Sequence, residues 1–118
     1  DLNAIIDISK RHWAKYHEVK DTYTKAAYWA AIAGGSKRLP QFQKAKVVCN
    51  WFCPDRRKDP DNIAHGIKYI LDGLVLAGAL KGDGWKCVEE IIHRFSMDKQ
   101  NPRVEVEIEE ATKDDSKT

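Results

Sequence analysis

Four aspartates and one lysine between residues 59 and 83 have the types and spacing that phosphodiester chemistry requires. Asp59 and Asp61 are two residues apart, which in extended backbone directs both side chains to one face. On a helix that begins near Asp61, Lys68 lies nearly two turns further on, about 10 Å along the axis. Asp72 follows one turn later, where it can pair with Lys68. Asp83 lies in a glycine-flanked turn that can fold back onto the same place.

Three carboxylates beside a lysine suit a magnesium site. Mg²⁺ prefers oxygen ligands and usually combines a few carboxylates with water and a substrate phosphate. The ion activates water, and a lysine stabilises the negative charge that develops on the phosphodiester. The cations of Arg56, Arg57 and Lys58 directly precede Asp59 and are expected to contact a polyanionic backbone.

A plainer interpretation of the same residues stays open. Asp61 or Asn62 is a suitable helix N-cap, Lys68 and Asp72 form an ordinary surface ion pair, and Asp83 is a common turn residue. The residue pattern alone does not choose between a site and these structural roles.

Composition predicts one ordinary globular domain. The chain has 118 residues, of which 42% are hydrophobic and 32% charged, a balance typical of folded domains of this size. No apolar stretch approaches the roughly 18 residues of a membrane span, so we expect no membrane partner. We expect one domain over residues 1–111 and a frayed acidic tail over 112–118.

The three cysteines predict reduced thiols and a cytoplasmic setting. Cys49 and Cys53 lie in a predicted strand, where four residues span about 13 Å, too far for two sulfurs to share one ion without a bend. Buried packing thiols are therefore favoured over a zinc site.

Hydrophobic periodicity predicts the elements that must position the candidate site. The first helix is expected from residue 3 to about residue 11, and a longer one follows to residue 33, before Gly34 and Gly35. A helix after Asp61 is expected to end at Gly78 or Gly82. Strands are expected over 44–53, within 85–97 and over 103–110, the last with its glutamates facing water. This order predicts an α+β domain whose small mixed or antiparallel sheet has helices packed on one face.

Taken in order, four fragments resemble a known family. "RRKDPDN", then "K" and "DGL" in one helix, then "AGALKGDGW" and "NPRVEVEI" resemble the RusA-type endonucleases, the Holliday junction resolvases of bacteria and their phages. The resemblance extends from about Phe52 to Glu109. It implies a RusA-like fold, and since the family's usual first strand has no counterpart among the predicted elements, it also implies that a piece upstream is missing.

The resemblance implies a homodimeric, Mg²⁺-dependent enzyme of the bacterial cytoplasm, host- or prophage-encoded, that resolves four-way DNA junctions in recombination and repair. Mn²⁺ is the expected substitute. The family's Asp-x-Asp-Asn motif falls on Asp59, Asp61 and Asn62, so the metal ligands would be Asp59, Asp61 and Asp83. The essential lysine falls on Lys68, and Asn62 joins the basic residues as a DNA contact.

Two departures from the family pattern leave alternatives open. Many members have lysine four residues after the second aspartate, where this chain has His65, so Lys68 and His65 both remain candidates for the functional cation, with Asp72 in support. Members often have an Asp-Asp pair where this chain has Gly82 and Asp83. The number of metal ions that the site would bind, one or two, therefore stays open.

Two other functions follow from these alternatives. One is a branched-DNA-binding module with impaired catalysis. The other is a protein-interaction subunit that uses aromatic residues near the predicted helix start, such as Trp13 and Tyr16.

Overall fold

The computed structural model describes residues 3–9, 19–33 and 39–111, which form an α+β fold. The seven elements, in chain order, are β1 (Asn3–Ser9), α1 (Val19–Ala33), β2 (Ala45–Cys53), α2 (Pro60–Ala64), α3 (Ile67–Leu76), β3 (Val88–Met97) and β4 (Arg103–Glu110). Within these ranges, no helix is both long enough and apolar enough to cross a membrane.

The four strands form one mixed sheet in the order β1-β4-β2-β3. β4 is antiparallel to both β1 and β2, whereas β3 runs parallel to β2. Parallel neighbours require a crossover, and here the chain from β2 to β3 supplies it through α2 and α3. The predicted α+β class and mixed sheet are therefore confirmed.

The core lies between one face of the sheet and the two longer helices. β2 alternates in burial, and its inward residues Ala45, Val47, Cys49 and Trp51 are all buried. They join one apolar cluster with Ala27 and Ala31 of α1 and with Ile70, Leu71 and Leu74 of α3. β4 buries Val104, Val106 and Ile108 on the same side. The strands predicted over 44–53, within 85–97 and over 103–110 are confirmed.

The helix predicted from residue 3 is wrong, because β1 occupies Asn3–Ser9. β1 pairs with β4 in register from Asn3 opposite Glu109 to Ser9 opposite Arg103. Ile6 and Ile8 are buried and Ile5 is 69% exposed, which is the two-residue period of a half-buried strand. β1 is thus a strand that the sequence analysis did not predict.

The C-terminal end of α3 is a glycine cap. Gly78 has φ of 82°, and the N–H of Ala79 donates to the carbonyl of Leu74 at 2.9 Å, a glycine C-terminal cap that ends α3 as predicted. α1 is described as far as Ala33. Gly34 and Gly35, like the tail from residue 112, lie outside the described residues.

Candidate functional site

Lys68 joins two elements at the surface. Its Nζ donates to Asp72 Oδ1 at 3.3 Å, one turn along α3, and to Asp83 Oδ2 at 3.2 Å in the turn before β3. The predicted pairing with Asp72 is confirmed, and so is the folding of the Gly82–Gly84 turn back onto this place.

The two carboxylates fix the charge of Lys68. Hydrogen bonding to Asp83, and then to Asp72, raises the pKa of Lys68 above its usual value. The lysine side chain is nevertheless 61% exposed. The ammonium group is thus protonated and solvent-accessible, and together with its two carboxylate partners it has a net charge of −1.

Asp59 and Asp61 are not arranged as predicted. Asp59 is extended, with φ of −73° and ψ of 152°, as expected of a residue before proline, and it is the N-cap of α2 without a side-chain capping bond. Asp61 already lies in the first turn of α2, so the two carboxylates do not share the face of an extended strand. The predicted cap at Asp61 or Asn62 is wrong. Asp61 Oδ1 instead accepts from the N–H of Asn62 at 2.9 Å.

The single helix predicted after Asp61 is divided. α2 ends at Ala64, and α3 begins at Ile67. Gly66 is buried between them. Two residues, His65 and Gly66, therefore separate the helix that holds Asp61 from the helix that holds Lys68.

The predicted magnesium ligands do not form a group in this structure. Among residues 3–9, 19–33 and 39–111, no three or more His, Cys, Asp or Glu side chains lie together as a metal-ion site. Asp83 is bonded to Lys68, whereas Asp59 and Asp61 lie at the start of α2. We derive no catalytic step through the ion.

The predicted DNA contacts converge on a cavity at the end of β2. A cavity of about 430 Å³ is lined in part by Arg57, Lys58, Asn62 and His65. A second cavity, of about 260 Å³, is lined in part by Arg56, Lys58 and Asp59. Lys58 lines both cavities, so residues 56–58 form one surface with the beginning of α2. Acidic side chains lie among these cations, and Asp55 Oδ2 is 3.7 Å from Arg57 Nε.

Arg103 is a member of this surface that the sequence analysis missed. It lines the larger cavity, and its guanidinium lies 4.0 Å from the ring centroid of Phe52, which is opposite it on β2. Asp98 and Glu105 hold it at 2.9 and 2.8 Å. The sequence shows Arg103 only as the first residue of a strand, and nothing local indicates that Phe52 is its neighbour.

The face of the sheet away from the helices carries the glutamates of β4. Glu105, Glu107 and Glu109 alternate with the buried residues of β4 and lie on the side away from the helices, as predicted. Glu107 accepts from Asn50 at 2.7 Å. An acidic sheet face repels a polyanion, which leaves the loop after β2 as the favourable approach.

Cys49 is a packing residue and not a nucleophile at neutral pH. Cys49 is buried in the core, and desolvation raises the pKa of its thiol to about 12. All three described cysteines are free of disulfides. Cys49 is therefore the packing thiol that the sequence predicts.

A comparison with protein-family models and with curated proteins found no match to this chain. The candidate site therefore rests on its own geometry and on the sequence resemblance. Trp13 and Tyr16, the aromatic residues of the interaction alternative, lie outside the described residues.

Proposed function

We propose that this protein is a structure-selective endonuclease that resolves four-way DNA junctions in a bacterial cytoplasm. The observation that carries the proposal is the pair of bonds from Lys68 to Asp72 and Asp83. Lys68 and Asp72 belong to one fragment of the resemblance and Asp83 to the next, and they meet although 15 residues separate Lys68 from Asp83.

The basic loop, residues 56–58, supports DNA as the substrate. Arg56, Arg57 and Lys58 are exposed, and such side chains bind phosphates by releasing counterions. Asn62 lines the same cavity and offers an amide that donates to phosphate or sugar oxygens. Binding to this surface would bring the DNA backbone to the chain segment that continues through His65 into Lys68.

Lys68 is the proposed cation that stabilises negative charge on the phosphodiester. Its carboxylate partners keep it protonated and orient it. His65 is the competing candidate, because it lines the cavity with Arg57 and Lys58. We propose that Mg²⁺, or Mn²⁺ in its place, is required, on the strength of the resemblance alone. Cutting two strands symmetrically needs two active sites, so we propose a homodimer.

A second candidate function is a branched-DNA-binding module without cleavage. The observation that favours it is the separation of Asp59 and Asp61 from the carboxylates at Lys68, since no metal-holding group forms among the described residues. In this candidate function, the surface formed by residues 56–58 and the beginning of α2 binds DNA, and the protein does not cleave it.

Cleavage of a labelled four-way junction separates the two candidates. The junction and a linear duplex of the same sequence are incubated with the protein in Mg²⁺ or in EDTA. We expect paired, symmetric nicks in the junction alone and only with metal. Tight binding without nicks in any divalent metal would support the binding module. Absence of both binding and cleavage would overturn both candidates and leave Lys68 in a structural ion pair.

A further inference from the structure

β3 is an edge strand of the sheet with ten residues, Val88–Met97. Its only described strand partner is β2. The other long side of β3 has no strand partner among residues 3–9, 19–33 and 39–111. A long edge of this kind is a template for pairing with another chain.

The register shows which backbone groups lie on that free edge. The N–H of Asp98 donates to the carbonyl of Cys53 at 2.8 Å. In a parallel strand, alternate residues direct both backbone groups to the same neighbour. Even-numbered residues of β3 therefore bond to β2, and Ile91, His93 and Phe95 direct their N–H and C=O groups outward.

The helix-side face of β3 is apolar and incompletely covered. Ile91 lies beside the buried Val47, and Phe95 lies beside the buried Trp51. Yet Ile91, Phe95 and Met97 are 40%, 41% and 45% exposed. The apolar layer of the sheet thus continues onto β3, where these side chains are only partly covered.

The charges of β3 are complementary to a second copy of the same strand. Glu90 and Arg94 are exposed on the sheet face away from the helices. If two copies pair antiparallel about a two-fold axis at Ile92, Glu90 of each copy is opposite Arg94 of the other. Isologous contacts of this kind occur twice. An axis at His93 would place Glu90 opposite Ser96, and an axis at Ile91 would place it opposite Ile92, so both of these registers lose the charge pair.

We propose that β3 is a homodimer surface on which two copies pair antiparallel about Ile92, forming one continuous sheet. Opposite charges across antiparallel strands stabilise the pairing, and like charges there weaken it. The role of this dimer in cutting two DNA strands rests on the proposed function. The surface itself is tested without DNA.

The test is sedimentation of the full chain and of two charge-reversed variants at micromolar concentration, without DNA. The wild type is expected to sediment as a dimer. Glu90→Arg places two arginines opposite each other, and Arg94→Glu places two glutamates opposite each other, so each variant is expected to dissociate at least about tenfold more readily. Mixing the two restores opposite charges at both positions, and a heterodimer is expected. Lys99→Glu, which changes charge beyond the end of β3, is the matched control and is expected to remain dimeric.

Three outcomes would overturn this surface. They are a monomeric wild type, single variants as dimeric as the wild type, or single variants that dissociate but do not recover on mixing. Circular dichroism of each variant checks that it is folded. A dimer that does not cleave junctions would count against the proposed function and not against β3. Cleavage by a dimer that is insensitive to both charge reversals would count against β3 and not against the proposed function.

Discussion

Lys68 Nζ lies 3.2 Å from Asp83 Oδ2, which ties α3 to the turn that leads into β3. Asp72 holds the same ammonium group at 3.3 Å. These bonds are at the surface, where ion pairs contribute little to folding. We therefore expect the loss of either bond to change the free energy of unfolding little.

Replacing Lys68 is expected to separate cleavage from folding. Lys68→Gln removes the charge proposed to stabilise the phosphodiester, and we expect junction cleavage to fall by roughly 10²-fold or more. Unfolding by urea should change little. Lys81→Gln, at another exposed lysine, is the control and should cleave normally. Unchanged cleavage by Lys68→Gln, together with loss in His65→Gln, would transfer the role to His65.

Asp61→Asn is expected to abolish cleavage and to leave junction binding intact or stronger. The substitution keeps an oxygen that can accept from the Asn62 N–H, whose bond to Asp61 is 2.9 Å long, but removes one negative charge near the phosphate. Cleavage and gel-shift affinity are measured on the same junction. If a preparation free of wild-type protein still cuts, Asp61 has no part in the mechanism.

The basic loop is expected to set the salt dependence of DNA binding. Neutralising Arg56, Arg57 or Lys58 one at a time to Gln should weaken binding and lower the slope of log affinity against log salt by about one each. Lys99→Gln, on a turn outside the two cavities, should leave the slope unchanged. Equal slopes in the loop variants and the control would show that DNA binds elsewhere.

Gly73 is expected to be required for the packing of α3 on α1. A Cβ at Gly73 would lie 2.6 Å from Ala27 Cβ and would overlap the Thr24 carbonyl oxygen. Alanine gains about 1 kcal/mol of helix propensity, but backbone atoms cannot move aside, and overpacking costs about 1–3 kcal/mol. We expect Gly73→Ala to destabilise the protein in urea unfolding. Gly84→Ala, where a Cβ meets nothing within 4 Å, should be nearly neutral, and equal stability of the two would refute the close contact.

His93 is expected to make stability depend on pH just below neutrality. Trp51 Nε1 donates to His93 Nδ1 at 2.9 Å, which requires that nitrogen to be unprotonated, and burial lowers the pKa of His93. The unfolded chain therefore binds the proton first. Stability is complete above the ordinary value of about 6.5 and declines as pH falls from there toward the lower folded pKa.

Urea unfolding between about pH 8 and about pH 5 measures this effect. His93→Gln keeps an acceptor for Trp51 and should lose the dependence in that window. His65→Gln, at an exposed histidine, should retain it. The same pH dependence in His93→Gln would assign it to another group.

Local pattern was sufficient for β2, α3 and β4. Their side chains repeat with a period of two or of three to four residues, and one-sided burial follows directly from such periods. The identity of Lys68 and Asp72 as partners was also local, because four residues along a helix fix their distance.

The errors arose where distant contacts decide the structure. Residues 3–9 form a strand that pairs with β4, and the short alternation from Ile6 to Ser9 was not enough to separate it from the helical pattern that follows. The periodicity of this segment predicted one helix, whereas the chain has two, α2 and α3, and the predicted carboxylate group does not form among the described residues.

The sequence by itself determined the kinds of side chain at the site, the cationic loop, the acidic alternation of β4 and the α+β class. Only the tertiary structure decided that Asp83 meets Lys68, that Arg103 covers Phe52, and that β3 is left at the edge of the sheet. The reason is physical. Periodicity fixes which face of an element is apolar, whereas the neighbours that meet it depend on sheet order and on backbone breaks set by packing far along the chain.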